Sequence, residues 1–466
     1  MPIELKPIRL SGAEVLPIVE GGKGISASTG RTAGAFAAAG AVGTFSAVNA
    51  DLYDEDGKLR PPVYHGRTRK ERFEELVAQG IAGGIAQAKI AHEVAGGRGR
   101  IHMNILWEMG GAQRVLEGVL EAVGDLIHGV TAGAGMPFRL APIAAKYRCY
   151  YYPIVSSARA FRALWLRSYR KYPEWLGGVV YEDPWLAGGH NGLSNAEDPN
   201  KPEPPYPRVV ALRRVMNEFG LKDVPIIMAG GVWFLREWAD WLDNPEIGPV
   251  AFQFGTRPLL TKESPISAAW KARLRRVRKG DVKLNRFSPT GFWSSAVYNR
   301  FLHELYERQD TEMPFTTHPM GDHTKPFTFG IRKKTVYLTP HDRERAELYI
   351  SEGRTQALPT PDSTLVFVTP EKAREIRKDQ LGCMGCLSQC LFSNWATNEL
   401  GTTGRKADPR SYCIQKTLQD IAHGGDPDEN LMFAGHNAYR FAEDPLFANG
   451  REPTIKELVD AIARGD

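Results

Sequence analysis

Short runs of apolar and β-branched residues alternate with longer stretches in which apolar residues recur every three or four positions. The short runs are typical of buried strands, and the longer stretches of amphipathic helices. The predicted strands cover residues 14–19, 42–46, 101–106, 126–130, 150–155, 178–181, 224–228 and 250–254. Because a helical pattern follows most of them, the segment resembles a chain of strand-helix units joined by parallel crossovers.

Eight such strands predict a parallel sheet closed into a TIM (β/α)8 barrel, and an open doubly wound sheet is the alternative. The loops after the last two strands favour the barrel. They contain Gly230 and Gly231 in one case and Gly255 and Thr256 in the other. In a barrel these two loops form a common phosphate site made of backbone N–H groups, although each could also be an ordinary turn before a helix.

Gly188, Gly189 and His190 follow the sixth predicted strand, in the stretch 181–192. Barrel enzymes keep their chemistry at the carboxyl ends of the strands. Two residues without Cβ atoms let a flat ligand approach the backbone while the imidazole lies over its edge. A glycine-rich turn with a structural histidine is the simpler interpretation. Glu182 and Asp183 could orient His190, and a solvated acidic loop explains them equally well.

The chain beyond the barrel divides by composition into two further segments. We predict the barrel over residues 1–275, a covering or lid segment over 276–345, and a mainly helical, cysteine-rich region over 346–466 that packs back on the barrel.

Four of the five cysteines lie close together in the sequence, with the spacing Cys-x2-Cys-x3-Cys-x22-Cys at Cys383, Cys386, Cys390 and Cys413. Four thiolates, three of them in one tight turn, are what a [4Fe–4S] cluster needs. Structural zinc is the competing interpretation, although zinc sites usually use two paired Cys-x2-Cys arms. Unligated thiols rank last. Cys149, remote from the others, is predicted to be a core residue.

Charge and composition exclude several other classes of protein. The excess of 59 basic over 54 acidic residues is small, and the densest basic run lies on a helical pattern without aromatic residues, so no nucleic-acid partner is expected. No apolar run is long enough to cross a membrane. Together with the scarcity of cysteine, these features predict a cytoplasmic protein without a membrane partner.

Six motifs, taken in order, resemble those of the nitronate monooxygenase (2-nitropropane dioxygenase-like) family, which also includes FMN-type enoyl-acyl carrier protein reductases. They cover residues 17–22, 187–192, 228–232, 253–257, 288–291 and 433–440. The resemblance implies FMN and a catalytic His190 beside its reactive edge. The residues implied to bind FMN are Val19, Glu20, Gly21, Gly22, Asn104, Gly188, Gly189, Gly230, Gly231, Gln253, Gly255 and Thr256.

One departure from the family concerns charge near the flavin. Glu20 stands where many relatives carry an uncharged residue, and Lys23 adds a second charge nearby. A carboxylate close to the flavin would disfavour an anionic reduced ring, and a lysine would offset that effect.

The predicted function is the oxidation of a small nitronate or nitroalkane with oxygen. The alternative is a flavin and iron-sulfur reductase of an activated C=C bond, such as an enoyl thioester, fed by a pyridine nucleotide or ferredoxin. A cluster would favour the reductase, because oxidation of a flavin by oxygen needs no one-electron relay. A non-catalytic flavin-binding protein would be expected to have lost a motif, and none is lost. The sequence is compatible with a homo-oligomer and does not determine the oligomeric state.

Overall fold

The computed structural model describes residues 3, 5–53 and 58–466. Eight parallel strands close into a barrel in the order β6-β7-β8-β1-β2-β3-β4-β5. The strands are β1 Ile18–Glu20, β2 Val42–Ser46, β3 Arg100–Leu106, β4 Gly129–Gly133, β5 Tyr150–Val155, β6 Val179–Glu182, β7 Ile226–Ala229 and β8 Val250–Phe254. The predicted TIM barrel is therefore confirmed.

Two predicted strands differ by three or more residues from those in the structure. The run 14–19 divides in two, because Ala13–Val15 pairs with Ile8–Leu10 in a separate hairpin and only β1 joins the barrel. The fourth strand begins at Gly129, three residues later than predicted, because Gly124–Leu126 forms a 3-10 turn. The hairpin is tied to the barrel where Ser11 Oγ lies 2.7 Å from the Tyr152 hydroxyl and 2.8 Å from His102 Nε2.

Helices surround the barrel and begin at recognisable caps. Thr29 and Thr68 each form a capping box, which satisfies backbone N–H groups that the first helical turn leaves unpaired. The α-helices are α1 Gly30–Ala38, α2 Arg69–Ala95, α3 Ala112–Val123, α4 Leu140–Lys146, α5 Ala158–Arg167, α6 Pro205–Glu218, α7 Ala268–Leu274, α8 Arg300–Asp310, α9 Pro340–Ser351, α10 Pro370–Leu381, α11 Ile414–Ala422 and α12 Ile455–Ala463. No helix in the described ranges is long and apolar enough to span a membrane.

After the barrel, a three-stranded antiparallel sheet joins Gly189–His190 to Ser294–Val297 and Val282–Asn285. A separate α/β unit with its own apolar core follows, built on the strands Met313–Pro314, Lys325–Phe329, Lys334–Leu338, Gln356–Pro359 and Thr364–Val368. The cysteine segment then leads through α11 to α12, which returns to pack on α1. The predicted subdivision at residues 275 and 345 stays a prediction.

Candidate functional site

A cavity of about 250 Å³ opens at the carboxyl ends of the barrel strands. It brings together eleven of the residues singled out from the sequence, which are Gly21, Gly22, Asn104, Gly188, Gly189, His190, Gly230, Gly231, Gln253, Gly255 and Thr256. Val19 and Glu20 lie in the barrel wall behind them. Segments distant in sequence therefore converge on one site, as the carboxyl ends of parallel strands must.

Glu20 is buried behind the cavity wall and does not line the cavity itself. Its Oε1 accepts from Thr32 Oγ1 at 2.9 Å, and its Oε2 accepts from the Thr44 backbone N–H at 3.1 Å. Lys23 lines the cavity, and its Nζ lies 3.4 Å from Glu20 Oε1 and donates to the Gly21 carbonyl at 2.7 Å. The carboxylate thus anchors a lysine that faces the ligand space.

His190 lies in the antiparallel sheet that packs on the mouth of the barrel. Its backbone pairs with Ser294, its Nε2 lies 2.7 Å from Ser288 Oγ, and the Phe433 ring packs against its edge. Burial lowers the pKa of His190 to about 4. The imidazole is therefore neutral at physiological pH and can exchange hydrogen bonds without bringing a positive charge into the cavity.

The two carboxylates before His190 do not orient it, and they do not form a solvated acidic loop either, because Asp183 is buried. Asp183 Oδ1 accepts from the backbone N–H groups of Trp185 and Leu186, both at 2.9 Å, and so caps its own turn. Glu182 ends β6 and lines the cavity. Burial, and to a smaller extent the charge of Asp183, raises the pKa of Glu182 to about 8. The orienting partner of His190 is Ser288.

Several polar groups of the cavity have no protein partner within the described part of the chain. They are the side chains of Glu182 and Gln253 and the backbone N–H groups of Gly230, Gly231, Gly255 and Thr256. A Cβ added at Gly255 would meet no atom within 4 Å, so a side chain there would fill the cavity itself. Clustered free N–H groups fit a phosphate, and the glycine floor fits a flat ring.

Sequence reasoning missed part of the cavity wall. Ile414 and Leu418 of α11 line it, together with Phe433 and Trp270. Phe433 belongs to a motif that carried the family resemblance, so it could have been found. Nothing in the pattern around Ile414 and Leu418 distinguishes a cavity wall from an ordinary apolar helix face.

The four clustered cysteines also come together, and none of them forms a disulfide. All four belong to one hydrophobic cluster. Burial raises the pKa of Cys386 well above its usual value, and the charges of the other three cysteines raise it further. Ser393 Oγ donates to Cys383 Sγ at 3.0 Å, and the Gly385 N–H donates to it at 3.4 Å. Cys149 is remote from them and buried in the main core, as predicted.

Two arginines of α2 fix the cysteine segment on the barrel. Arg69 donates to the carbonyls of Gln380 and Ser393, at 3.0 and 3.1 Å. Arg72 donates to the carbonyls of Leu381 and Cys383, at 3.0 and 3.1 Å. Charged donors to backbone carbonyls make strong hydrogen bonds, so the cysteine loop has a defined position.

The thiols do not converge as the ligands of one metal ion do. Within the described residues, no group of three or more Cys, His, Asp or Glu side chains could hold a single ion. A mononuclear zinc site would bring every sulfur to about 2.3 Å from one centre. The structure therefore shows a thiol group with supporting hydrogen bonds and does not show a metal site.

The closed parallel barrel, its glycine-lined mouth and the neutral histidine fit a flavin-dependent oxidoreductase. The sequence model of the nitronate monooxygenase family matches residues 130–464, which is most of the chain. The chain belongs to that family, as the motifs predicted.

Solved structures with the same fold cover nearly the whole chain. Nitroalkane oxidase from Streptomyces ansochromogenes superposes with a TM-score of 0.53 and 15% identity, over 97% of this chain and 95% of its own. FabK from Thermotoga maritima superposes with a TM-score of 0.52 and 14% identity, over 96% of this chain and 91% of its own. The enoyl reductase domain of MlnA from Bacillus amyloliquefaciens superposes with a TM-score of 0.51 and 13% identity, over 96% of this chain and 93% of its own. No curated protein sequence matches the chain. At these identities the likeness concerns the fold alone.

Proposed function

We propose that this protein is an FMN-dependent oxidase of small nitronates, with oxygen as electron acceptor. The observation that carries the proposal is the neutral His190 imidazole, held by Ser288 at the edge of a glycine-lined cavity. Membership of the nitronate monooxygenase family supports the reaction class.

The cavity offers a place for each part of FMN. The backbone N–H groups of Gly230, Gly231, Gly255 and Thr256 would hold the phosphate, and the strand end at Gly21 and Gly22, with Asn104 beside it, would carry the ring. Because we find one such phosphate site within the described residues, and no Gly-x-Gly-x-x-Gly turn in the sequence, FMN fits better than FAD. When bound, the flavin accepts electrons from the substrate and passes them to oxygen.

The low pKa of His190 favours the nitronate over the neutral nitroalkane. A base whose pKa is about 4 removes a carbon-bound proton poorly at physiological pH. A nitronate has already lost that proton and needs only a hydrogen-bonding partner for its oxygens. Ser288 Oγ lies 2.8 Å from Thr290 Oγ1 as well as 2.7 Å from His190 Nε2, so it holds the imidazole in one orientation. His190 Nδ1 has no protein partner within the described residues and would be the nitrogen that serves the ligand.

The second candidate function is reduction of an activated C=C bond by a flavin and iron-sulfur enzyme. The four thiols favour it, because they lie close to the cavity in the chain: Cys413 directly precedes Ile414, which lines the cavity. We propose a [4Fe–4S] cluster as their ligand, with zinc as the competitor. The Cys-x2-Cys-x3-Cys-x22-Cys spacing supports this proposal, and all four cysteines belong to one hydrophobic cluster.

The test first identifies the bound flavin and then measures its reaction with each class of substrate. Heat-released flavin is identified by chromatography, and we expect FMN. Oxygen uptake is then measured with a small nitronate and with the matching nitroalkane, and anaerobic flavin oxidation with an enoyl thioester. Faster oxygen uptake with the nitronate supports the oxidase. Rapid oxidation of the reduced flavin by the enoyl thioester, with no nitronate turnover, would establish the reductase instead, and release of FAD would contradict the cofactor assignment.

A further inference from the structure

We propose that Ile414 and Leu418 of α11 form the end wall of a subsite for an uncharged aliphatic chain, and so determine which substrates the cavity accepts. The inference rests on the proposed function, and it names the part of the substrate that lies beyond the nitronate group. Neither residue belongs to the motifs that carried the family resemblance.

The cavity has a polar half and an apolar half. Its free backbone N–H groups follow β7 and β8, and in the closed barrel β3 and β4 lie across from those two strands. The cavity residues that come from β3, β4, β5 and the loop after β2 are apolar apart from Asn104, and they are Val48, Ile105, Leu106, Gly133, Ala134 and Ile154. A ligand that spans the cavity therefore passes from hydrogen-bonding groups to an apolar surface.

The apolar half is continuous with the surroundings of His190. The Phe433 ring packs against the edge of the imidazole, with 5.6 Å between the ring centroids. Phe433, Leu106, Ile414 and Leu418 all line the cavity and pack in one hydrophobic cluster. A chain attached to a group that binds His190 therefore has an apolar path along Phe433 to α11.

The position of α11 is fixed by side-chain contacts with the loop after β2. Asn49 Nδ2 donates to Gln415 Oε1 at 2.6 Å, and His423 Nε2 lies 3.0 Å from Asp51 Oδ1. The two wall residues are four positions apart and so share one face of this helix, the face that lines the cavity. A wall that selects substrates by length has to be fixed in this way.

The apolar half has no charged side chain within the described residues. The charged side chains that line the cavity are Lys23, Glu182 and Arg257, which lie at the ends of β1, β6 and β8. Arg257 is already paired with Asp444, at 2.8 Å. A carboxylate at the far end of a substrate chain would be buried against α11 without a partner, which costs far more than burying a methyl group.

The experiment measures binding separately from turnover. Straight-chain carboxylates from acetate to octanoate are titrated by calorimetry into the full chain with its flavin, because a carboxylate is an unreactive stand-in for the planar two-oxygen anion of a nitronate. The dissociation constant should fall by about fourfold for each added methylene group until the chain reaches α11. A dicarboxylate of the same length should bind at least about tenfold more weakly than the monocarboxylate.

Two variants of Leu418 move the wall in opposite directions. The best-binding chain should become longer by about two methylene groups in Leu418→Ala, and shorter in Leu418→Phe, because the first opens space and the second fills it. Ile414→Val should lengthen it by about one methylene group at most. Ile421→Val is the matched control, because Ile421 is buried in α11 and does not line the cavity, and it should leave the preferred length unchanged.

Dissociation constants that do not depend on chain length, or a preferred length that neither Leu418 variant shifts, would overturn the subsite. Equal or tighter binding of the dicarboxylate would overturn its uncharged character. Oxygen uptake with the matching nitronates tests the proposed function separately. If no nitronate is turned over while the carboxylate series keeps its length dependence, the oxidase assignment fails and the subsite stands.

Discussion

The flavin cavity and the thiol site differ in how their polar groups are satisfied. In the cavity, Glu182, Gln253 and four backbone N–H groups have no protein partner within the described residues. In the thiol site, Cys383 Sγ accepts two hydrogen bonds. The arginines of α2 donate hydrogen bonds to the backbone carbonyls of Gln380 and Leu381, just before the cysteine loop. Because buried polar groups are normally paired, the cavity is a site whose ligand supplies its own donors and acceptors.

The difference agrees with the ligands proposed for the two sites. A cofactor with a phosphate and a heteroaromatic ring can satisfy six separate polar groups, and an inorganic cluster bonded only through sulfur needs none of them. The cavity is assembled mainly from the ends of barrel strands. The thiol site is assembled from the loop 383–390, which is fastened to α2, and from Cys413 at the start of α11. Substitutions should therefore affect the two sites independently.

The largest effect should follow His190→Ala. We expect the FMN content to be unchanged and turnover with the best substrate to fall by about 10²-fold or more, the usual loss for a positioned hydrogen-bonding or proton-transfer group. His436→Ala is the matched control, because His436 is also a neutral imidazole whose pKa is lowered to about 4 by burial, and its Nε2 lies 3.1 Å from Ser295 Oγ. It should lose little activity. Flavin loss in proportion to activity would make His190 a structural residue.

The next largest effect should follow Arg72→Met, which tests the fastening of the thiol site. The variant loses charged hydrogen bonds to the carbonyls of Cys383 and Leu381 and should destabilise the loop by about 2–3 kcal/mol. We expect less iron and labile sulfide per chain after reconstitution, with FMN content unchanged.

Arg114→Met is the control for the arginine substitution. Arg114 forms an exposed ion pair with Glu74, and such pairs contribute between about 0 and 1 kcal/mol. Its iron content should equal that of the wild type. Parallel loss of FMN and iron in Arg72→Met would show that the two sites are not independent.

The barrel and most of the cavity could be predicted because their signals are local. Each strand is a short apolar run, and the glycines at the strand ends mark a close approach of backbone and ligand. Gly230 and Gly231 adopt φ of 84° and 79°, a conformation that favours glycine, so their place in the motif has a structural cause.

The other features of the two sites depend on contacts between segments that lie far apart in the sequence, and no sequence pattern links those segments. The partner of His190 is Ser288, 98 positions away, and the nearer Asp183 satisfies its own turn instead. The side chains of Arg69 and Arg72 fasten a loop more than 300 positions further along. Periodicity cannot reveal such pairs, because each residue alone is typical of an exposed helix or loop.

The last prediction concerns the pH dependence that Glu182 gives to stability, and it has a defined sign. Its folded pKa is raised to about 8 by burial, and the ordinary value is 4.5. Between these values the unfolded chain has lost the proton that the folded chain retains, so the stability of flavin-free wild type should fall as pH rises from about 4.5 to 8 and then level off. The slope from this residue is at most about 1.4 kcal/mol per pH unit.

Glu182→Gln isolates that contribution, because the amide resembles the neutral acid and does not ionise. In urea unfolding of the flavin-free proteins at pH 5, 6.5 and 8, the variant should gain stability relative to wild type as the pH increases. A constant difference across this range would mean that Glu182 ionises at its ordinary pKa and that the cavity is well hydrated. A growing difference would instead support an unpaired acid, kept neutral in an apolar cavity until a ligand provides its partner.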